Sequence, residues 1–436
     1  VTELGADPQT TRPDVSARTS EAGPVANEAG QSLGHLRYSP RRRWFALLAL
    51  ALGGFGIGVT EFVSMGLLPN IAQDLLPGLY ASNSADANAT AGHLISAYAL
   101  GVVVGAPTIA AAAARWPRKR LLTVLVACFM IGNLATAVLP SFGWVLAARF
   151  VSGLPHGAYF GIASLVAATL MGPGKRARGV AFVLSGLTIA NVVRVPVGTY
   201  LGQNFGWRSA FWLVTVIFAA TLVAILATVP FQAGNPDSTL RNELKAFSRL
   251  QIWLTLAMAS IGFGGMFAVY SYIAPVVTDV TGLGAGVVPL VLVTFGVGMT
   301  IGNFIGGWAA DKSVARALLI FMPGIGLACL AFGLTAASTP GLFISIFFIG
   351  AFVSAASPTI QARLMDVAHD SQSIAAALNH SALNLGNSLG AFLGGVVIAA
   401  GFGYLAPAWV GICLSIVGVS ILLVSLGIDR RRARLA

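Results

Sequence analysis

Charge is what this sequence has least of. Its 26 Lys and Arg and 15 Asp and Glu make up 9% of 436 residues, against about 25% in ordinary soluble domains. So little charge cannot cover a water-facing surface, which excludes a soluble globular protein despite a length that would hold two or three domains. Cysteine is scarce too. Cys128, Cys329 and Cys413 all fall inside apolar runs, where they read as small hydrophobes and offer neither a disulfide framework nor metal-ligand spacing. Nucleotide and catalytic signatures are also missing. GPGKR at 172–176 lacks the GxxxxGK[ST] spacing and the hydroxyl after its lysine, so an ATP-driven pump has no support. There is no HExxH motif, no paired catalytic carboxylates and no nucleophile elbow. Neither a metal nor a cofactor is expected, and the chain does not read as an enzyme.

What the sequence has in abundance is apolar length. Hydrophobic residues make up 56%, Gly numbers 51 and the mean hydropathy is +0.81, a composition suited to helices whose solvent is hydrocarbon and whose glycines permit close packing. Gly53, Gly54, Gly56 and Gly58 fit that role rather than a phosphate loop. Stretches of about 20 apolar residues, enough to span ~30 Å, occur near 44–69, 91–114, 121–140, 144–170, 180–201, 210–230, 252–275, 287–310, 317–338, 341–363, 374–400 and 407–428. The expectation is an all-α membrane protein with twelve transmembrane helices. Residues 1–43 carry no apolar h-region and read as a disordered tail rather than a cleaved signal. The polar stretch 231–251 reads as a linker between a first half, 44–230, and a second, 252–428, with a tail at 429–436.

The net charge of +11 reports topology rather than nucleic-acid binding. Of 26 basic residues, 23 fall in the two tails and in loops on one side, and of the rest only Arg208 lies in a loop on the other. By the rule that basic loops stay inside, both termini are cytoplasmic, and the tails are free to lie against anionic lipid. The halves also repeat one another. A shift of 197 places Gly101, Gly105, Arg115 and Lys119 on Gly298, Gly302, Lys312 and Arg316, and a shift of 196 places Ser185, Asn191 and Gly198 on Ser381, Asn387 and Gly394. Parallel repeats of this kind predict two pseudo-symmetric six-helix halves with a solute site between them at mid-membrane.

Ionisable groups inside such spans are costly and therefore informative. They are Glu61, Arg149 and Arg194, with His93, His156 and His380 nearby. Helix counting puts Glu61, Arg149 and Arg194 at comparable depth, so they could form one polar cluster. Glu61 then reads either as a proton carrier coupled to conformation or as half of a static pair with Arg149 or Arg194. His156 follows Arg149 by seven residues and is expected on the same helix face, as a proton relay, a solute contact or a packing residue. Asn379, His380, Asn384 and Asn387 make helix 11 the polar helix of the second half, through interhelical hydrogen bonds or solute contact. His93, at the outer end of helix 2, is expected at an exposed boundary. Asn191, Arg194 and Asn387 are candidate cavity residues. Phe263, Phe267 and Tyr270 are candidate stacking contacts, with lipid-facing or core positions as the alternative.

The segments TEFVSMGLLPNIAQDL at 60–75, YALGVVVGAP at 98–107, RFVSGLPHGAYFG at 149–161, NVVRVPVGTYLGQNFGWR at 191–208 and GNFIGGWAADKSVAR at 302–316 resemble the major facilitator superfamily. The likeness is to its twelve-helix drug:proton antiporter branch, near the arabinose-efflux and chloramphenicol-exporter proteins. The resemblance implies a charged loop that latches the halves. It appears in the second half as Gly307, Asp311, Lys312 and Arg316, and in the first as Arg115, Arg118 and Lys119, with Ala114 in the place of the aspartate. It also carries the family's helix-4 arginine onto Arg149. The helix-5 antiporter motif maps onto Pro196 and Gly198, with Arg194 in place of its central glycine.

The function expected is proton-coupled efflux of small organic solutes, whether drugs, sugars or nucleoside-like compounds. A bacterial cytoplasmic membrane would be crossed by alternating access, with protons as the coupling ion and the chain acting as a monomer. A proton-coupled importer or a uniporter is the alternative. A receptor would show a sizeable domain outside the membrane, and the 70–90 loop is too small for one.

Overall fold

The computed structural model describes residues 39–113, 115–234, 245–368 and 371–435, and the side chains of 62–66 and 194–200, with a few scattered others, lie outside the described residues. Twelve long helices carry the chain: α1 (Pro40–Gly66), α2 (Ser84–Ala112), α3 (Arg118–Val138), α4 (Phe142–Met171), α5 (Arg176–Phe205) and α6 (Arg208–Thr228) in the first half. The second half holds α7 (Leu250–Tyr270), α8 (Val288–Lys312), α9 (Val314–Thr335), α10 (Thr339–Ala368), α11 (Gln372–Val397) and α12 (Ala406–Leu435). Among the described residues, eleven of these are long and apolar enough to cross a membrane. The exception is α11, whose Asn379, His380, Asn384 and Asn387 lower its hydropathy. A helix satisfies its own backbone, which is what hydrocarbon demands. Side chains such as Trp144, Val223, Leu327 and Phe392 stand on the outside.

Several helix ends differ from the expected spans. α1 begins at Pro40, where the pyrrolidine fits the first helical position, and the Ser39 hydroxyl accepts from the Arg42 N–H at 3.4 Å. α12 runs through the basic segment expected as a tail. Arg363, at the end of the expected span 341–363, lies inside α10, where it donates to Gln251 Oε1 at 3.3 Å, to Ser425 Oγ at 3.1 Å and to the Asp429 carboxylate. That network holds α7, α10 and α12 together, so the helices extend to meet it.

Helix pairing follows a two-fold pattern. In the first half α1 packs on α5 and α6, α2 on α4, and α3 on α4 and α6; in the second α7 packs on α11 and α12, α8 on α10, and α9 on α10 and α12. Each half has its own apolar core, built around Phe129, Phe160 and Phe218 in one and Phe295, Phe321 and Phe332 in the other. The glycines paired by the repeat do the same work. A Cβ at Gly101 would run into the Phe150 carbonyl oxygen, and one at Gly298 into that of Phe347, again 197 residues on. Contact between halves runs along α5 against α8 and α2 and α4 against α11.

One end of the bundle carries the loops rich in Lys and Arg and is here termed the basic end. At the opposite end, two short helices, Leu68–Leu75 and Pro77–Ser82, fill the segment after α1. Asp74 there pairs with Arg208 and accepts from Trp207 Nε1 at 3.0 Å. Its partial burial opposes charge, but the hydrogen bonds from Arg208 and Trp207 and the Arg208 charge outweigh that and hold its carboxyl below the usual 3.8.

Candidate functional site

A cavity of about 100 Å³ lies between the halves. From the first half, Glu61 of α1, His156 of α4 and Leu184, Leu187, Thr188 and Asn191 of α5 line it. From the second come Phe263, Met266, Phe267 and Tyr270 of α7, Phe295, Met299 and Asn303 of α8, Val353, Ser354 and Ser357 of α10, and His380, Leu383, Asn384 and Asn387 of α11. The α7–α8 wall is aromatic and sulfur-rich, with the Tyr270 and Phe295 ring centroids 4.6 Å apart. The α4, α5 and α11 walls carry the imidazoles and amides. Asn191 and Asn387, matched by the repeat, face the cavity from opposite halves. The Asn191 amide donates to Leu187 O at 3.2 Å and that of Asn384 to His380 O at 2.9 Å, which fixes their rotamers. The side chains of Arg194, Pro196 and Gly198 lie outside the described residues.

Phe263, Phe267 and Tyr270 therefore line the cavity rather than face lipid. Arg149 corrects the sequence reading, because it does not reach the cavity. It is 1% exposed and sits inside the first half, donating to Thr60 Oγ1 and Thr60 O, both at 3.1 Å. Its guanidinium lies 4.5 Å from the Tyr98 ring centroid and 5.6 Å from that of Phe211. The seven-residue spacing to His156 does not place both on one continuous face, because α4 is interrupted. Leu154 bonds back only three residues, to Val151 O, and Pro155, which has no N–H, opens the next segment.

Tyr98 of α2, which the sequence did not single out, joins the two. It is 2% exposed, lies under Arg149, and its hydroxyl is 3.0 Å from His156 Nδ1. Its signal was weak: a tyrosine one turn before Gly101, at the contact between α2 and α4. Thr60, the next residue to Glu61, continues the network by donating to Asn133 Oδ1. Glu61 lies near enough for its charge to act on both Arg149 and Tyr98. The carboxyl is thus accessible from the cavity and coupled electrostatically to a buried cation.

Below the cavity, the basic end is closed across the halves. Asp311 of α8 accepts from the backbone N–H of Ala177 at 2.7 Å and of Arg178 at 3.2 Å, and forms an ion pair with Arg178 Nε at 3.1 Å, at the N-terminus of α5, where a helix favours a carboxylate. One turn inward, Asn303 donates to Ala181 O at 2.6 Å. The first-half loop behaves differently. Arg118 donates to Gln232 Oε1 at 3.3 Å and to Thr169 Oγ1 at 3.5 Å, and Lys119 to Leu226 O at 2.7 Å, all within the first half. Lys312 lies 3.7 Å from the Trp308 ring centroid, and the Arg316 N–H meets the Ser313 hydroxyl that caps α9. Of the expected latch residues, Asp311 thus makes contact across the halves, and the first-half loop has Ala114 where the matching carboxylate would stand. Among the described residues no cluster of His, Cys, Asp and Glu could hold a metal ion.

The sequence model of the Major Facilitator Superfamily matches residues 50–292 and 266–435. The chain is 39% identical over 360 residues to the inner membrane transport protein YdhP of Escherichia coli K12, covering 83% of this chain and 90% of that one. It is 32% identical over 367 residues to a chloramphenicol resistance protein of Streptomyces lividans, covering 83% and 91%. The proton:xylose symporter XylE superposes with a TM-score of 0.72 at 15% identity, over 88% of this chain and 96% of that one.

Proposed function

We propose, since this chain belongs to the major facilitator superfamily, that it is a proton-coupled exporter of small organic solutes. It is a multi-pass membrane transporter rather than an enzyme, and a bacterial inner membrane, as for YdhP, is its proposed location. The basic end is taken as cytoplasmic by the distribution of Lys and Arg. The single observation carrying the proposal is Glu61, an acid in the wall of a cavity formed by both halves, within the field of the buried Arg149.

The mechanism follows from that placement. With the basic end closed, the cavity releases solute outward and Glu61 takes a proton. Neutralising the acid weakens its hold on the Arg149–Tyr98–Thr60 network of the first half, which permits, without itself driving, the rocking of the halves that opens the basic end. There Glu61 releases its proton inward and solute enters. The S. lividans relative, named for chloramphenicol resistance, supports the outward direction. The aromatic α7–α8 wall suits an apolar or ring-bearing part of the solute, and the amides of Asn191, Asn384 and Asn387 suit its hydroxyl or amide groups.

Proteoliposome flux under an imposed pH gradient tests this, with chloramphenicol and a neutral sugar as probes. Wild-type flux should run against the proton gradient, and Glu61→Gln should lose gradient-driven flux by about tenfold or more while keeping downhill exchange. Flux indifferent to the gradient together with a silent Glu61→Gln would exclude proton antiport. Solute moving with protons would make the protein an importer.

A further inference from the structure

His156 and His380 come from different halves, and their rings meet where the halves touch. The centroids are 5.2 Å apart, and the residues are 1% and 2% exposed. His380 stacks on Phe160 of α4 at 4.3 Å with the planes 12° apart, so an imidazole of the second half is seated on the first. His156 Nδ1 is engaged by the Tyr98 hydroxyl, whereas His380 Nε2 is buried and meets no hydrogen-bonding group of the protein. Just below, α4 and α11 are in backbone contact: a Cβ on Gly161 would lie 2.9 Å from Ala377 N. The two rings therefore belong to the closed seam between α4 and α11.

From this geometry we propose that His156 and His380 form a second proton-binding site, shared by the two halves, which holds the basic end closed while uncharged and drives it apart when both rings are protonated. Two like charges at this separation, away from water, repel strongly, and separation lets each be hydrated. The ionisable groups around the pair are few. Tyr98 faces it from α2, Arg149 stands behind Tyr98, Glu61 faces the same cavity from α1, and Tyr270 lines the far wall on α7. The cavity-lining residues of α5, α8 and α10 named above are uncharged, and the Arg194 side chain is outside the described residues. Glu61 is then one of two places where protons act. It is the acid that carries the coupling, while the imidazole pair gates the closure. The inference rests on the transport reading only in supposing that the closed end opens.

The test reads conformation rather than flux. Spin labels at Lys175→Cys and Lys312→Cys, one in each half at the basic end, report the distance between halves in the full chain, with the exposed Cys128 and Cys413 replaced by serine. Between about pH 8 and about pH 5.5 the separated population should rise about threefold or more. His380→Phe, which keeps a ring on Phe160, and His156→Gln should each abolish the rise, and Glu61→Gln should leave it intact. His380→Gln serves if the phenylalanine variant fails to fold. A flat wild-type profile, a rise that survives in either histidine variant, or its loss in Glu61→Gln overturns the proposal. If proteoliposome flux ignores the pH gradient while the label distances follow this pattern, the export reading fails and the imidazole site stands.

Discussion

Arg149 shows what a single ionisable residue requires inside an apolar bundle. A buried guanidinium is tolerated only when its donors and its charge are met, and here two of its nitrogens bond Thr60 while its face lies against Tyr98 and Phe211. Tyr98 is the residue this arrangement leans on. Tyr98→Phe keeps the ring under the cation and removes the hydroxyl from His156 Nδ1, so the expected loss is about 1 kcal/mol of stability, readable as a lowered thermal midpoint in detergent, with the Arg149 packing intact. Asp74 is the exposed contrast. Its carboxyl is held below 3.8 by Arg208 and Trp207, so the pair's contribution is present above that value and is lost as pH falls through the lower value of the folded state. Because the pair is open to solvent, Asp74→Asn should cost under about 1 kcal/mol at neutral pH. Acid titration of thermal midpoints checks the sign: the gap between wild type and variant narrows only below the ordinary carboxylate range.

Between helices the deciding feature is the glycine, and the same substitution has opposite consequences in different seams. Gly101 faces the Phe150 carbonyl within one half, whereas Gly161 faces the Ala377 backbone across the halves. Gly101→Leu must push two helices of one core apart, at about 1–3 kcal/mol or more, and should reduce the yield of folded protein. Gly161→Leu should leave each core intact and wedge the basic end open, so that labels at 175 and 312 report the separated state while the thermal midpoint moves little. The repeat made the seam within each half partly legible: the glycine pairs at shift 197 already implied matched helix contacts. The break of α4 at Leu154 was not legible in position, since Pro155 alone tolerates either a kink or a fresh helix start.

For the whole molecule, Asp311 is one of the groups that close the basic end, with Asn303 beside it. Asp311→Ala removes two hydrogen bonds and one ion pair at the α5 N-terminus. Because Arg178 is partly exposed, the expected effect is about 1 kcal/mol, or about a fivefold shift of the label-distance distribution toward the separated state.

The sequence by itself determined that this is a membrane bundle of two repeated six-helix halves with one acid and few cations in the spans, because low charge, apolar length and internal repetition are properties of a string. It also put Glu61, Arg149 and Arg194 at comparable depth, since helical rise converts residue number into height, and offered His156, Asn191, Asn387 and the α7 aromatics as candidate contacts. Only the tertiary structure decided which way each of them points and what it touches. Rotation about a helix axis and the seating of α11 on α4 are set by packing between segments from about fifty to more than two hundred residues apart in the chain. For that reason Arg149 turned inward under Tyr98, Asp311 of the expected latch residues came to bridge the halves, and two histidines from opposite halves came face to face.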